Sequence, residues 1–360
     1  MRERIVVGMS GGVDSSVAAA RLVEQGHEVV GVTMRVWGTR RPDDALEHFG
    51  SCCGTKASDD ARAVARTLGI PYYLLDMVDA FERTVVTPFA AEYELGRTPV
   101  PCVACNTDLK FGTLLARARA WDAAAVATGH YARVTCDATT GRWLLWRGVD
   151  ARKDQSDFLW PLTQTQLASA RFPVGDLTKD DVRARARRLG LVTADKPESQ
   201  EICFVTDDDY RGFLRRREPG MFRSGPIVDL QGRMLGRHGG VAGYTIGQKK
   251  GLQLALGRPL YVVDLDAERD TVVVGDAVDL ERDRLVAGSV NFIACAPQRE
   301  PMRVEAKIRH SHVPAPATLR VVDADTAEVV FDEPQRAITP GQSVVWYRGE
   351  YVIGGGVILR

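Results

Sequence analysis

The feature that most constrains this chain lies near its start. An apolar run, Ile5-Val6-Val7, leads into "GMSGGVDSS" from Gly8 to Ser16, and the helical pattern "VAAARLVEQG" follows. Strand, glycine-rich turn and helix in that order define a βα unit. Its turn is an anion cradle, because glycines allow close backbone approach and the first helical N–H groups point at the anion. The pattern continues: "EVVGVTMRVW", "PYYLLDM" and "AAAVATGHYARV" read as strands, with helical stretches such as "ASDDARAVARTLG" between them, through about residue 135. Alternating strands and helices predict a parallel sheet covered on both faces. Such sheets bind ligands at the carboxyl ends of their strands, where this turn falls.

Ser10-Gly11-Gly12-Val13-Asp14-Ser15 follows SGGxDS and lacks the lysine with which a Walker loop grips the β and γ phosphates. A lysine-free cradle suits pyrophosphate as a leaving group while the α-phosphate is attacked, so the expected reaction class is adenylation. Asp14 is placed to help hold Mg²⁺ or to cap the helix start, where a negative side chain is favoured. An ordinary βα turn capped by Asp and Ser is the competing account of the same residues.

Seven cysteines, at positions 52, 53, 102, 105, 136, 203 and 295, are an odd number in a chain of 360 residues. That argues against a secreted disulfide framework. No apolar run reaches the roughly 18 residues of a membrane helix, and "MRERIVVGMS" lacks the apolar core and cleavage site of a signal peptide. A cytoplasmic protein without a membrane partner is expected. Cys102 and Cys105 form a CxxC in "TPVPCVACN", and Cys203 follows in "SQEICF". Cys105 precedes a basic helical stretch, and a helix start or nearby cations raise the thiolate fraction, which favours activated sulfur. CxxC equally fits half a zinc site, a redox pair or iron–sulfur ligands. Cys52, Cys53, Cys136 and Cys295 read as buried or incidental.

Residues 160–190 read as helical, notably "KDDVRARARRLGL", and "TADKPESQEICFV" as a polar loop running into a short apolar segment. From about 211 the texture becomes glycine- and turn-rich. After 259, "LYVVDLD", "TVVVG", "RVEAKIR", "ATLRVVD", "AEVVFD", "SVVWYRG" and "YVIGGGVIL" suggest a small β-barrel. Domains at 1–210, 211–280 and 281–360 are expected. Formal net charge is zero, yet residues 97–153 carry nine Lys/Arg against four acids and residues 215–250 eight against two. The neutral total hides basic surfaces, which suit a polyanion or are simply solvated.

In order, and at similar intervals, "GMSGGVDSSVAA", "GRTPVPCVACN", "KFG", "ATGHYAR", "KDQSDFLW", "SQEICF", "GYTIGQKKGL" and "TPGQSVVWY" resemble the bacterial tRNA-specific 2-thiouridylases, the MnmA/TrmU family. The resemblance runs from residue 5 almost to the C-terminus. It implies an α/β fold: a parallel-sheet ATP-pyrophosphatase domain (PP-loop, adenine nucleotide alpha hydrolase-like), then a small central tRNA-contacting domain and a C-terminal β-barrel. It also implies a sulfurtransferase that uses ATP and Mg²⁺ to adenylate the C2 oxygen of the tRNA wobble uridine. Sulfur from a protein persulfide then gives 2-thiouridine.

Carried over position by position, Gly8, Met9, Ser10, Gly11, Gly12, Val13, Asp14 and Ser15 resemble the ATP site, with Met34 near the adenine and Gly129 closing the pocket. Cys105 matches the nucleophile and Cys203 the persulfide carrier. Val100, Pro101 and Cys102 match the target-base segment, and Lys153, Asp154, Gln155, Arg309 and His310 match tRNA contacts. The implied partners are the tRNA anticodon stem-loop and an upstream persulfide donor such as a cysteine desulfurase or sulfur-relay protein. Two positions depart from the family: Val100 stands where Asn is usual, and His310 where Tyr is frequent. The residues leave other readings open. One is the same thiolation with an iron–sulfur cluster held by Cys102, Cys105 and Cys203. Another is an ATP-pyrophosphatase ligase or amidotransferase, which needs neither Cys105 nor Cys203. The last is a non-catalytic RNA-binding module, which has no use for SGGxDS.

Overall fold

The computed structural model describes residues 2–36, 55–197, 202–205, 209–254 and 257–360, so Cys52 and Cys53 lie outside the described residues. The first sheet contains β1 (Arg4–Gly8), β2 (Glu28–Arg35), β3 (Tyr72–Asp76) and β4 (Ala125–Ala127). After a hairpin of β5 (Ala132–Cys136) and β6 (Trp143–Arg147), β7 (Ala170–Arg171) completes it. The order is β3-β2-β1-β4-β7 and every pairing is parallel. Strand alternation sorts the core into two layers. Val6, Val30, Val32 and Val126 face one layer; Ile5, Val7, Val29, Ala125 and Ala127 face the other.

Helices α1 (Val13–Glu24) and α2 (Thr55–Leu68) cover the second layer through Val17, Ala18, Ala61 and Val64. The first layer is covered by α3 (residues 78–94) and α4 (residues 101–119), which contribute Phe81, Phe89, Leu109, Phe111 and Leu114. Helix α5 (Gln164–Ala168) precedes β7, and α6 (Lys179–Arg188) packs on α1 with Val182 and Ala186. A reciprocal capping box between Thr178 and Asp181 starts α6 and fixes Lys179 as its first residue.

Helix α7 (Tyr210–Arg217) leads into a four-stranded sheet of β8 (Gly225–Val228), β9 (Met234–His238), β10 (Tyr261–Asp266) and β11 (Thr271–Gly275), ordered β10-β11-β8-β9. The remaining strands are β12 (Glu281–Phe292), β13 (Met302–Lys307), β14 (Ala315–Val321), β15 (Ala327–Arg336), β16 (Ser343–Arg348) and β17 (Tyr351–Ile358). They run in the order β12-β15-β14-β13-β16-β17, and β17 pairs back with β12, closing a six-stranded barrel. Its interior is filled by Leu285, Val304, Leu319, Val329, Trp346 and Ile353.

Several expectations are corrected. "AAAVATGHYARV" is not one strand: Thr128 to Tyr131 break it, and its second half turns away into the β5–β6 hairpin. That hairpin joins the barrel sheet through Tyr351↔Trp146. "LYVVDLD" and "TVVVG" belong to the central sheet, where β11 pairs with β8, rather than to the barrel. Strand β12 has no counterpart among the alternating segments because it opens on Glu-Arg-Asp-Arg at its exposed end, which masks the alternation. The stretch 160–190 is not helical throughout, since β7 interrupts it. Helix α4 begins at Pro101, so Cys105 lies within it instead of ahead of it.

The barrel is tied to the first domain at Thr98, three residues ahead of α4. Thr98 N–H donates to the Pro340 carbonyl at 2.8 Å, and Gln342 Nε2 donates to the Thr98 carbonyl at 2.8 Å. Gly341 lies between these bonds with φ +89°, and a Cβ there would stand 2.9 Å from Thr98 N.

Candidate active site

The strand order reverses between β1 and β4, and the crevice beside such a reversal is where open parallel sheets bind ligands. One wall of the crevice is the loop from Met9 to Gly12, at the end of β1. The main chain of that loop is fixed from below: Met9 N–H donates to the Val32 carbonyl at 2.8 Å, and buried Thr33 Oγ1 donates to the Met9 carbonyl at 2.7 Å. Ser15 Oγ accepts from Ser10 N–H at 3.2 Å and donates to the Gly12 carbonyl at 3.1 Å. The side chains of Met9 and Val13 point into the core, so these two residues offer only backbone to the crevice. The opposite wall is the loop after β4. A Cβ on Gly129 would stand 2.5 Å from Ser15 N and 2.7 Å from Asp14 C, so only glycine permits this closeness to the start of α1. Half-buried Met34 sits near the end of neighbouring β2.

Asp14 is not the cap of α1. The N-cap is Gly12, which makes no side-chain cap bond. The Asp14 carboxylate instead takes Lys179 Nζ at 2.8 Å on each oxygen, and Tyr131 OH donates to Oδ1 at 2.7 Å. A second lysine touches the loop itself: Lys196 Nζ lies 2.9 Å from the Gly11 carbonyl and 2.6 Å from Asp60 Oδ2. Sequence reasoning missed both lysines. Lys179 sits in a charged stretch that reads as helical and Lys196 in one that reads as a polar loop, and only the fold shows that they converge on a loop lacking a lysine of its own.

Val100 precedes α4, Pro101 is its first residue, and Cys102 and Cys105 stand near its start, where the helix dipole favours negative charge. Cys102 is exposed, whereas Cys105 and Cys203 are half-buried. The latter two pack on the same apolar layer, which Met34 also touches. Beside Cys203, buried Phe204 inserts among Phe81, Phe89 and Phe213, with ring centroids 5.6, 5.0 and 5.4 Å away. That aromatic anchor holds the cysteine against the domain. Farther along α4, Lys110 Nζ bonds Asn106 Oδ1 at 2.9 Å, and buried Asn106 donates to the Phe158 carbonyl at 3.1 Å. His130, next to Gly129, is buried and bonded to Thr128 Oγ1 at 2.6 Å. Burial, with the Lys110 charge nearby, holds its imidazole well below the usual histidine range.

The barrel supplies a cleft of about 300 Å³, solvent included, lined by Val100, Phe158, Lys307, Arg309, His310 and Gln342. Thus Val100 meets the Arg309-His310 pair across one opening. His310 lies on the Phe158 ring, with centroids 4.7 Å apart, and its Nδ1 is 3.0 Å from Oδ2 of buried Asp157. Lys307 Nζ reaches the same carboxylate at 3.3 Å. Arg309 donates to the Arg336 carbonyl at 3.1 Å. In Lys153-Asp154-Gln155 the three side chains differ. Asp154 is buried and accepts from Gly148 N–H and from both Ser156 donors, with burial raising its pKa. Gln155 Oε1 accepts from Tyr131 N–H at 3.1 Å, and Lys153 is half-buried in the turn.

Among the described residues, no group of three His, Cys, Asp or Glu is gathered as a metal site, and no helix is long and apolar enough to cross a membrane.

Comparison with known proteins agrees with the domain order. A family profile described as "tRNA methyl transferase HUP domain" matches residues 3–207, a PRC-barrel domain of the same name matches 211–276, and an aminomethyltransferase beta-barrel domain matches 282–358. A protein of Moorella thermoacetica named tRNA-specific 2-thiouridylase MnmA is 53% identical over 98% of both chains. Its namesake in Heliobacterium modesticaldum is 50% identical over 100% of this chain and 93% of its own. That of Symbiobacterium thermophilum is 51% identical over 99% and 92%. The expected architecture of parallel-sheet domain, central domain and closed barrel stands, and the chain belongs to the tRNA-specific 2-thiouridylase (MnmA) family.

Proposed function

We propose that this chain is an ATP-dependent sulfurtransferase that converts the wobble uridine of tRNA to 2-thiouridine. One observation carries the reading: a lysine-free glycine cradle at the sheet's switch point, with two cysteines packed on the apolar layer that Met34 also lines. The uracil C2 oxygen is a poor leaving group and must first be activated. In the proposed first step it attacks the α-phosphate of ATP, and pyrophosphate departs from the cradle of Gly8 to Ser15. The α1 N-terminus and the fixed loop amides stabilise the leaving anion.

The terminal sulfur of a Cys203 persulfide then attacks C2 and AMP leaves. Cys105 thiolate attacks the Cys203 sulfur atom, releasing 2-thiouridine and forming a Cys105–Cys203 disulfide. A thiol reductant reopens that bond by exchange. The persulfide comes from an upstream donor of the cysteine desulfurase or sulfur-relay type.

Asp14 stands at the cradle with its carboxylate neutralised by Lys179. This donor set suits Mg²⁺ carried mainly by substrate phosphates and water, the ion's usual mode with nucleotides. When bound, it would neutralise phosphate charge during adenylation.

A base stacked in the anticodon loop is out of reach, so the uridine is splayed toward Val100, Pro101 and Cys102. The barrel cleft supports this. Arg309, and the His310 ring seated on Phe158, offer a cation and a stacking surface where the family often has Tyr. Lys153 is the RNA-contacting member of its triplet, while Asp154 and Gln155 shape the turn and hold Tyr131.

The test is product analysis with α-labelled ATP and unmodified tRNA. AMP and pyrophosphate are expected only when tRNA is present. ADP and phosphate, or turnover indifferent to tRNA, would refute the proposal. Modified nucleosides should carry the mass gain of an oxygen-to-sulfur exchange and not that of a methyl group.

A further inference from the structure

Lys196 comes to the cradle from outside it, on the stretch that runs on to Cys203. Its ammonium joins three segments: the Gly11 carbonyl at 2.9 Å, Asp60 of α2 at 2.6 Å, and its own main chain. That main chain is itself held. Arg183 of α6 donates through Nη1 to the Ala194 carbonyl at 2.8 Å and through Nη2 to the Lys196 carbonyl at 3.2 Å. Lys196 N–H closes a turn onto the Thr193 carbonyl at 3.2 Å. A guanidinium fork therefore fixes the turn, and the turn delivers the ammonium.

The contact falls on the tightest glycine of the loop. Gly11 has φ +70°, and a Cβ there would stand 2.1 Å from the Ala57 carbonyl oxygen. In a trans peptide the C=O of one residue and the N–H of the next point in opposite directions within one plane. Drawing the Gly11 carbonyl toward Lys196 therefore sends the Gly12 N–H the other way, at the helix start where anions are bound. A Walker lysine acts on phosphate directly; here the ammonium acts on the peptide plane.

We infer that Lys196 is a positioning residue of the nucleotide site: by holding the Gly11 carbonyl it sets the direction in which the Gly12 N–H meets phosphate. The inference rests on the reading of Gly8 to Ser15 as an ATP cradle. A lysine that merely braced α2 through Asp60 would leave nucleotide affinity unchanged, and this separates the two roles.

The experiment measures tRNA-dependent pyrophosphate release against ATP concentration, together with melting temperature, for wild type, Lys196→Met, Lys196→Arg, Asp60→Asn and Arg183→Met. A lost charge-assisted hydrogen bond predicts about a tenfold rise in the KM for ATP in Lys196→Met. Lys196→Arg recovers most of it, and Asp60→Asn keeps the wild-type KM because Gly11 retains its partner. Arg183→Met, which frees the turn yet keeps the ammonium, raises the same KM and carries the test should Lys196→Met fold poorly. If Lys196→Met and Asp60→Asn fall equally in melting temperature while both keep the wild-type KM, the inference is overturned. Wild type without tRNA-dependent pyrophosphate release would instead overturn the proposed function.

Discussion

Lys179 and Asp14, 165 positions apart in sequence, form a two-point ion pair at the mouth of the nucleotide crevice, Nζ standing 2.8 Å from each carboxylate oxygen. The partners are unequally hidden: the lysine side chain is 8% exposed and the aspartate 30%. The ammonium thus lies beneath the carboxylate and neutralises it from the protein side. Without Lys179, Asp14 would present an uncompensated negative charge to incoming phosphates.

Lys179→Met is therefore expected to weaken binding of a non-hydrolysable ATP analogue by roughly tenfold and to destabilise the fold by on the order of 1–3 kcal/mol, the cost of leaving a partly buried group unpaired. Adding Asp14→Asn should restore much of the stability, since it removes the orphaned charge. Calorimetric titration and chemical denaturation of the single and double variants measure the two effects separately.

At Gly129 the prediction is steric. A Cβ would stand 2.5 Å from Ser15 N and 2.7 Å from Asp14 C, and both are backbone atoms that cannot swing aside. Gly129→Ala should push the loop after β4 away from α1, lowering the melting temperature and raising the KM for ATP. A thermal melt and ATP saturation kinetics check this, and unchanged values for both would contradict the crevice geometry.

Gly341→Ala tests the brace between barrel and first domain. The residue has φ +89°, and its Cβ would reach 2.9 Å from Thr98 N, between the two bonds that hold Thr98. A left-handed non-glycine residue costs about 1–2 kcal/mol before any clash. Because Thr98 leads directly into Val100, Pro101 and the cysteine helix, tRNA-dependent turnover should fall while affinity for ATP alone is kept. Comparing nucleotide binding with turnover in this variant separates the two sites.

Acidification from neutrality through pH 6.5 should destabilise the protein. His130, His238 and His312 all have pKa values lowered from 6.5, each chiefly by burial. Below that value the unfolded chain takes up protons that the folded chain refuses, so stability falls as pH drops through 6.5 and stops falling below each folded pKa. Each fully neutral buried histidine contributes up to about 1.4 kcal/mol per pH unit in that window. The lowered carboxylates, such as Asp150 and Asp176, act in the same direction only below 3.8. Denaturant midpoints at pH 7.5 and 5.5 measure the slope, and His130→Asn should reduce it.

The cradle was legible because strand, glycine turn and helix leave a local signature that needs no tertiary partner. The barrel was legible for a similar reason: its short alternating strands are set off by turn residues. The missing parts depend on distant contacts. Lys179 looks like one charge among many in "KDDVRARARRLGL"; Thr178 and Asp181 mark the helix start, yet nothing local points to Asp14. Lys196 and Arg183 are likewise ordinary polar residues until the turn at 193–196 brings one to Gly11. Phe204 reads as a lone aromatic after Cys203, since its partners Phe81, Phe89 and Phe213 come from other helices. Asp154, expected at the RNA surface, is drawn inward by Gly148 and Ser156, a hydrogen-bond demand that composition does not reveal.

The most direct test of the account is mass analysis of tRNA nucleosides after incubation with ATP, a persulfide donor and wild-type, Cys105→Ala or Cys203→Ala protein. The account predicts 2-thiouridine with wild type, dependent on ATP, and none above background with either variant. Wild-type levels of 2-thiouridine from both cysteine variants would contradict it.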